Sequence, residues 1–177
     1  MPLYTVGHGT ATADAFVAML TDAGIASLVD VRTAPGSRRY PWFRREEMEA
    51  WLPAAGIAYR WERRLGGFRK TDPSSRHVAL RVPAFRGYAD HMETGGFVEA
   101  LGEVLDEAAR RPTVVMCSET LWWRCHRRLL SDAAVMLRGV EVVHLQPGGR
   151  AAPHVVTDGA RREGERLVYD AGQNRLV

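Results

Sequence analysis

Thr113-Val-Val-Met-Cys-Ser-Glu-Thr-Leu-Trp-Trp-Arg-Cys-His-Arg-Arg-Leu-Leu130 decides the reading of this chain. It begins after Pro112 as a short apolar run, the pattern of a buried strand. It continues as a helix in which Leu129, Leu130, Ala133, Ala134 and Leu137 recur at helical spacing. Between the two lie both cysteines of the protein, a carboxylate, two tryptophans, a histidine and three arginines. A packed core has no use for that mixture at a strand-to-helix junction. A binding site does, because loops after strands hold reactive groups at the rim of a rigid sheet.

Outward from this stretch, strand and helix alternate. Leu3 to Gly7 reads as a first strand, and Thr12 can cap a helix over Ala13 to Ala23 that Gly24 stops. Ser27 to Val31 is a second strand. Arg44 to Leu52 is a helix closed by Pro53 and Gly56, and Ile57 to Trp61 is a third strand. Residues 62 to 84 form a long polar loop, a length that points to a functional role. Helices follow over Phe85 to Met92 and Thr94 to Arg110, then the Thr113 to Cys117 strand and its helix, which Gly139 ends. Glu141 to Leu145 is a fifth strand. The tail from Gly148 carries two short strands, around His154 to Thr157 and Arg166 to Tyr169. The expectation is a three-layer α/β domain over residues 1–147, with helices on both faces of a mainly parallel five-stranded sheet. Residues 148–177 form a short C-terminal extension, read as a hairpin packed on the same domain. The expected strand order is 3-2-1-4-5.

Composition fits this class. The chain has 177 residues, 46% hydrophobic and 25% charged, ordinary for one globular domain. No apolar run approaches the ~20 residues of a membrane helix. The amino-terminal residues lack a basic start and an apolar signal core. A cytoplasmic location without membrane contact is expected, with both thiols reduced and no disulfide holding the fold. Residues 32 to 86 carry thirteen Arg or Lys against five Asp or Glu, which points to an anionic partner such as DNA, RNA or a nucleotide. Lys70 is the only lysine among 24 basic residues, so a general preference for arginine accounts for the same excess.

Ligands of parallel α/β sheets bind outside the carboxyl ends of the strands. That rule gathers His8, Asp30, Arg32, Cys117, Glu119 and His126 around one pocket. Glu119 and Asp30 are the expected acid-base carboxylates, with His8 and His126 orienting groups or relaying protons. Arg32, Arg38, Arg39, Arg69 and Arg127 are the expected anion contacts. Trp122 offers a stacking face, and Gly66 and Gly67 offer backbone N–H groups. Cys117 is the expected nucleophile if the chemistry is instead thiol-based. Cys117, Cys125, His126 and His8 are metal-ligating types, but their spacing matches neither C-x-x-C nor H-E-x-x-H, and no metal or other cofactor is assigned. The Leu65-Gly66-Gly67-Phe68-Arg69 run lacks the Gly-Lys-Ser/Thr ending of a P-loop.

These residues carry a resemblance. Thr5-Val6-Gly7-His8-Gly9, Leu28-Val29-Asp30-Val31-Arg32, Leu65-Gly66-Gly67 with Arg69, Gly87-Tyr88-Ala89, and Met116-Cys117-Ser118-Glu119 followed by Cys125-His126-Arg127 resemble the bacterial and archaeal family called domain of unknown function 488. The resemblance covers most of residues 3 to 145 and implies a fold and a site, without a reaction. Val29-Asp30-Val31-Arg32 and the strand-ending Cys117 bear a weaker likeness to rhodanese-type sulfurtransferases. Three functions stand as expectations. The first is an enzyme of hydrolase or transferase type acting on an anionic substrate, the second a Cys117-centred thiol enzyme, and the third a non-catalytic nucleic-acid-binding module.

Overall fold

The computed structural model describes residues 1–171. β1 (Leu3–Gly7) leads through α1 (Ala13–Asp22) to β2 (Ser27–Asp30), and α2 (Arg45–Ala54) leads to β3 (Ala58–Trp61). α3 (Pro83–His91) and α4 (Gly95–Arg110) precede β4 (Thr113–Cys117), which is followed by α5 (Arg127–Arg138) and β5 (Val142–Gln146). β6 (Arg150–Pro153), β7 (Ala160–Glu163) and β8 (Arg166–Tyr169) complete the described chain. The caps follow the sequence. Thr12 accepts from the Ala15 N–H and Thr94 from the Phe97 N–H, each satisfying a donor that the first helical turn leaves unpaired. α2 runs on through Pro53 and does not stop before it.

The principal sheet is mixed, with strand order β3-β2-β4-β1-β5-β6. Its first five strands are parallel, and β6 joins antiparallel. Two expectations are corrected here. The sheet has six strands and not five, and β4 lies between β2 and β1, pairing Thr113 with both Ser27 and Leu3. Apolar runs identify buried strands but not their neighbours, because β1, β2 and β4 are all covered on both faces. β6 escapes the apolar pattern because it is a mostly exposed edge, with Pro153 at its end. The strand expected at His154 to Thr157 does not form, whereas Arg166 to Tyr169 does, paired with β7. Residues 172–177 of the expected C-terminal extension lie outside the described residues.

Helices cover both faces. Phe16 and Leu20 of α1 and Met48 and Leu52 of α2 pack over Val6, Leu28 and Val114. Tyr88, Val104 and Leu130, from α3, α4 and α5, pack over Val29 and Val115. Leu28 and Val29 serve opposite cores, as do Val114 and Val115, because successive strand side chains alternate faces. Leu167 and Tyr169 of β8 are buried in the second core. Among the described residues, no helix is long and apolar enough to cross a membrane.

A buried polar relay fastens β5, α5 and the β8 hairpin together. The Tyr169 hydroxyl donates to Asp132 Oδ2 at 3.0 Å, and the Thr157 N–H donates to Asp132 Oδ1 at 3.0 Å. His154 Nε2 donates to Asp132 Oδ1 at 2.8 Å. The protons then run one way. His144 Nε2 donates to His154 Nδ1 at 3.0 Å, the Thr5 hydroxyl donates to His144 Nδ1 at 2.7 Å, and Arg127 Nη1 donates to Thr5 Oγ1 at 3.2 Å. This direction requires a neutral His144. Burial first, then the neighbouring His154 ring and the Arg127 charge, hold it down to about 3. In the unfolded chain the same ring takes up a proton near its ordinary value of 6.5. The unfolded state therefore binds more protons between those values, and stability falls as pH falls from about 6.5 towards 3. The expected slope from this ring is up to about 1.4 kcal/mol per pH unit. Urea unfolding measured at intervals from about pH 7 to pH 4 checks it, and a midpoint that stays level over that range contradicts it.

Candidate functional site

The carboxyl ends of β2 and β4 open onto a cleft of about 450 Å³, within the size range of ligand pockets. Cys117, the last residue of β4, lies in its floor beside Cys125 and His126. Both cysteines are buried free thiols. Cys125 sits in extended backbone before α5, with φ −122° and ψ 154°, so its thiol turns to the cleft. Cys125 therefore shares no helical line with Leu129, four positions on. Cys117 Sγ is 3.9 Å and Cys125 Sγ 3.6 Å from His126 Nδ1.

The imidazole is held on three sides. Its Nε2 faces the Val31 carbonyl at 3.0 Å. A carbonyl only accepts, so Nε2 carries the proton and Nδ1 presents a lone pair to the thiols. The Tyr88 ring lies 5.0 Å away, itself fixed by a hydroxyl bond to the Leu65 carbonyl at 2.9 Å. Gly67 covers the ring face. A Cβ there would stand 2.8 Å from Nδ1, which accounts for a glycine at that position better than a phosphate-binding role. The two thiols influence each other electrostatically. Cys117 is pushed up to about 12, first by its hydrogen bond to Cys125 and then by burial. Burial alone would raise Cys125 as well, but the Cys117 bond, the Arg127 charge and the Arg127 N–H bring it down to about 6.

Glu119 stands in the cleft wall, its Oε1 accepting weakly from the Leu121 N–H at 3.3 Å. Its backbone is anchored from two sides. Arg127, almost completely buried, donates to the Glu119 carbonyl. Gly7 presses against the same carbonyl so closely that any Cβ would overlap it. The Gly7-His8-Gly9 run is therefore a packing device, with His8 N–H on the Cys117 carbonyl at 3.0 Å.

Asp30 and His8 stand behind the cleft. Asp30 is fully buried, accepts from Arg32 Nη2 at 2.6 Å and Nε at 2.9 Å, and takes the Tyr59 hydroxyl at 2.8 Å. His8 stacks on Phe43 with centroids 4.2 Å apart. Burial and then the Arg32 charge hold it down to about 4. Arg32 itself reaches the cleft. Arg127 does not line it, and Arg69 spends its guanidinium on the Gly66 and Arg63 carbonyls. Arg38 and Arg39 are exposed, outside the lining. Trp122 stacks on His144 at 4.1 Å, on the relay side. Much of the basic excess is paired, since Arg60 and Arg64 meet Glu62, Glu99, Glu103 and Glu107.

The sequence reading missed Phe68, Phe85 and Arg124, all in the lining. Phe68 is 94% exposed and has φ 55°, conformationally costly for a bulky residue. A phenylalanine amid glycines in a long loop was the available signal.

The model of the family described as Domain of unknown function DUF488 matches residues 12–134. The chain belongs to this family. The match spans the Asp30–Arg32 pair, the Gly66–Gly67 turn and the whole Cys117–His126 floor, so the cleft is DUF488 territory. The curated proteins and the solved structures give no match. The rhodanese likeness finds no support in these comparisons.

Proposed function

We propose that this DUF488 protein is an enzyme of hydrolase or transferase type whose cleft takes a nucleotide or the end of a nucleic-acid strand. One observation carries the reading: two thiols and an imidazole converge in a cleft whose lining holds both arginines and phenylalanines. Arg32 and Arg124 line the cleft, and so do Phe68 and Phe85. A nucleotide has the matching halves, a phosphate and a planar base. Glu119 serves as the acid-base group beside the floor. Asp30 and His8 act as positioning residues that fix the Arg32 guanidinium. The anion contact falls to Arg32 and Arg124, while Arg69 and Arg127 hold the backbone on which the site is built.

Phe68 gives a two-way test. Its left-handed backbone costs roughly 1–2 kcal/mol, which glycine does not incur. Phe68→Gly is expected to leave stability unchanged or slightly raised. It is also expected to weaken adenosine monophosphate binding by about 5- to 100-fold, the worth of one base stacked on one aromatic ring. Calorimetric titration with adenosine monophosphate, uridine monophosphate and inorganic phosphate checks this, alongside Arg124→Ala. Nucleotides that bind no better than phosphate, or bind both variants as they bind the parent protein, defeat the proposal.

A further inference from the structure

We infer that Cys117 Sγ, Cys125 Sγ and His126 Nδ1 form a binding site for a zinc-type divalent ion whose remaining coordination position faces the cleft. The three ligand atoms lie within 4.8 Å of one another. Tetrahedral zinc with ordinary bond lengths holds sulfur and imidazole nitrogen roughly 3.6 Å apart. The two sulfur-to-nitrogen separations here are 3.6 Å and 3.9 Å, close to that value.

Three further observations support a ligand set over a chance cluster. The Val31 carbonyl fixes the tautomer that leaves Nδ1 free to bind, the same outer contact that orients metal-bound histidines generally. The Gly67 backbone and the Tyr88 ring hold the imidazole in place. One sulfur comes from the end of a central strand and the other from the residue next to the histidine, so rigid elements set the geometry. Two thiolates and an imidazole favour zinc over magnesium or calcium, which take oxygen ligands. Three protein ligands with one open position are the arrangement of catalytic zinc, whereas structural sites close with four. All three side chains line the cleft, so a water or a substrate oxygen would complete the shell beside Glu119.

The inference rests on the cleft being the working site, but its test is read without turnover. Untagged protein, stripped by chelator and titrated with zinc, is expected to take up one equivalent by elemental analysis. Cobalt in place of zinc is expected to give thiolate-to-metal charge-transfer bands in the near ultraviolet and visible bands of tetrahedral intensity. Cys117→Ser, Cys125→Ser and His126→Ala are each expected to weaken zinc binding by roughly 10²-fold, at least the loss seen on removing outer-shell partners. Circular dichroism establishes that each variant is folded. The cobalt spectrum of the parent protein needs no variant, and its lacking charge-transfer bands overturns the inference outright. Zinc uptake unchanged in folded Cys117→Ser or Cys125→Ser overturns it too. Zinc uptake without any nucleotide binding would defeat the functional reading and leave the metal site standing. Nucleotide binding and turnover in protein that takes up no zinc would do the opposite.

Discussion

Replacing Asp132 with Ala is expected to cost about 3–5 kcal/mol, a large share of the roughly 5–15 kcal/mol that holds a domain folded. Asp132 is fully buried and accepts from His154 Nε2, the Thr157 N–H and the Tyr169 hydroxyl. Alanine leaves those three donors without their acceptor in the interior, at about 1–3 kcal/mol each before relaxation. The loss is local in origin. His154 and Thr157 flank the passage from β6 to β7, and Tyr169 ends β8, so the hairpin comes away first. Hydrogen exchange is expected to rise in β8 before it rises in β4. Asp132→Asn keeps one oxygen for His154 and Thr157, and its amide can donate to the Tyr169 oxygen, so about 1–2 kcal/mol is expected. Urea unfolding of both variants decides. An alanine variant as stable as the asparagine variant would show that the carboxyl holds nothing together.

Glu119→Gln is expected to lower turnover of any nucleotide substrate by ~10²–10⁴-fold, the usual worth of a positioned acid-base group. The fold should not notice. The side chain stands in the cleft wall, its bond to the Leu121 N–H can pass to the glutamine oxygen, and Arg127 holds the backbone carbonyl, which does not change. Adenosine monophosphate affinity is expected to stay within a few-fold of the parent value, since shape and the Arg124 contact survive. The measurement is turnover and affinity on the same preparation. Full turnover in the variant removes Glu119 from the chemistry and leaves the thiol floor as the sole candidate.

The alternation of strands and helices was legible because each apolar run is bounded by a cap or a stop. Thr12, Thr94 and Gly139 stand where the helix ends require them. The neighbour relations were not legible. Placing β4 inside β1 is a matter of long-range pairing, and both orders satisfy the same periodicity and the same right-handed crossovers. At the site, the junction after β4 was visible as a mixture of chemistries that no core would carry. Its internal geometry was not. Cys125 reads as core if the helix is extended one turn too early, and it moves to the floor once Cys125 is placed in extended backbone. Asp30 and Arg32 were visible as charges gathered at one pocket, but the Tyr59 hydroxyl that completes the Asp30 carboxylate arrives from a different strand.

The strand order has a consequence for how the protein is made. β1 precedes every other described element, yet its neighbours are β4 and β5, which begin only at Thr113 and Val142. Had β2 been its partner, β1 could have paired almost at once. Instead the emerging chain must carry Leu3–Gly7 with both edges bare until most of the sequence has left the ribosome. Late long-range closure of this kind is slow and exposes strand edges to other chains. A nascent chain halted before residue 113 can bring β2 and β3 together but has no place to put β1. It has neither of the two sulfurs. The cleft cannot be present in part: Gly7, Glu119 and Arg127 close on one another in the same late event that fills the centre of the sheet.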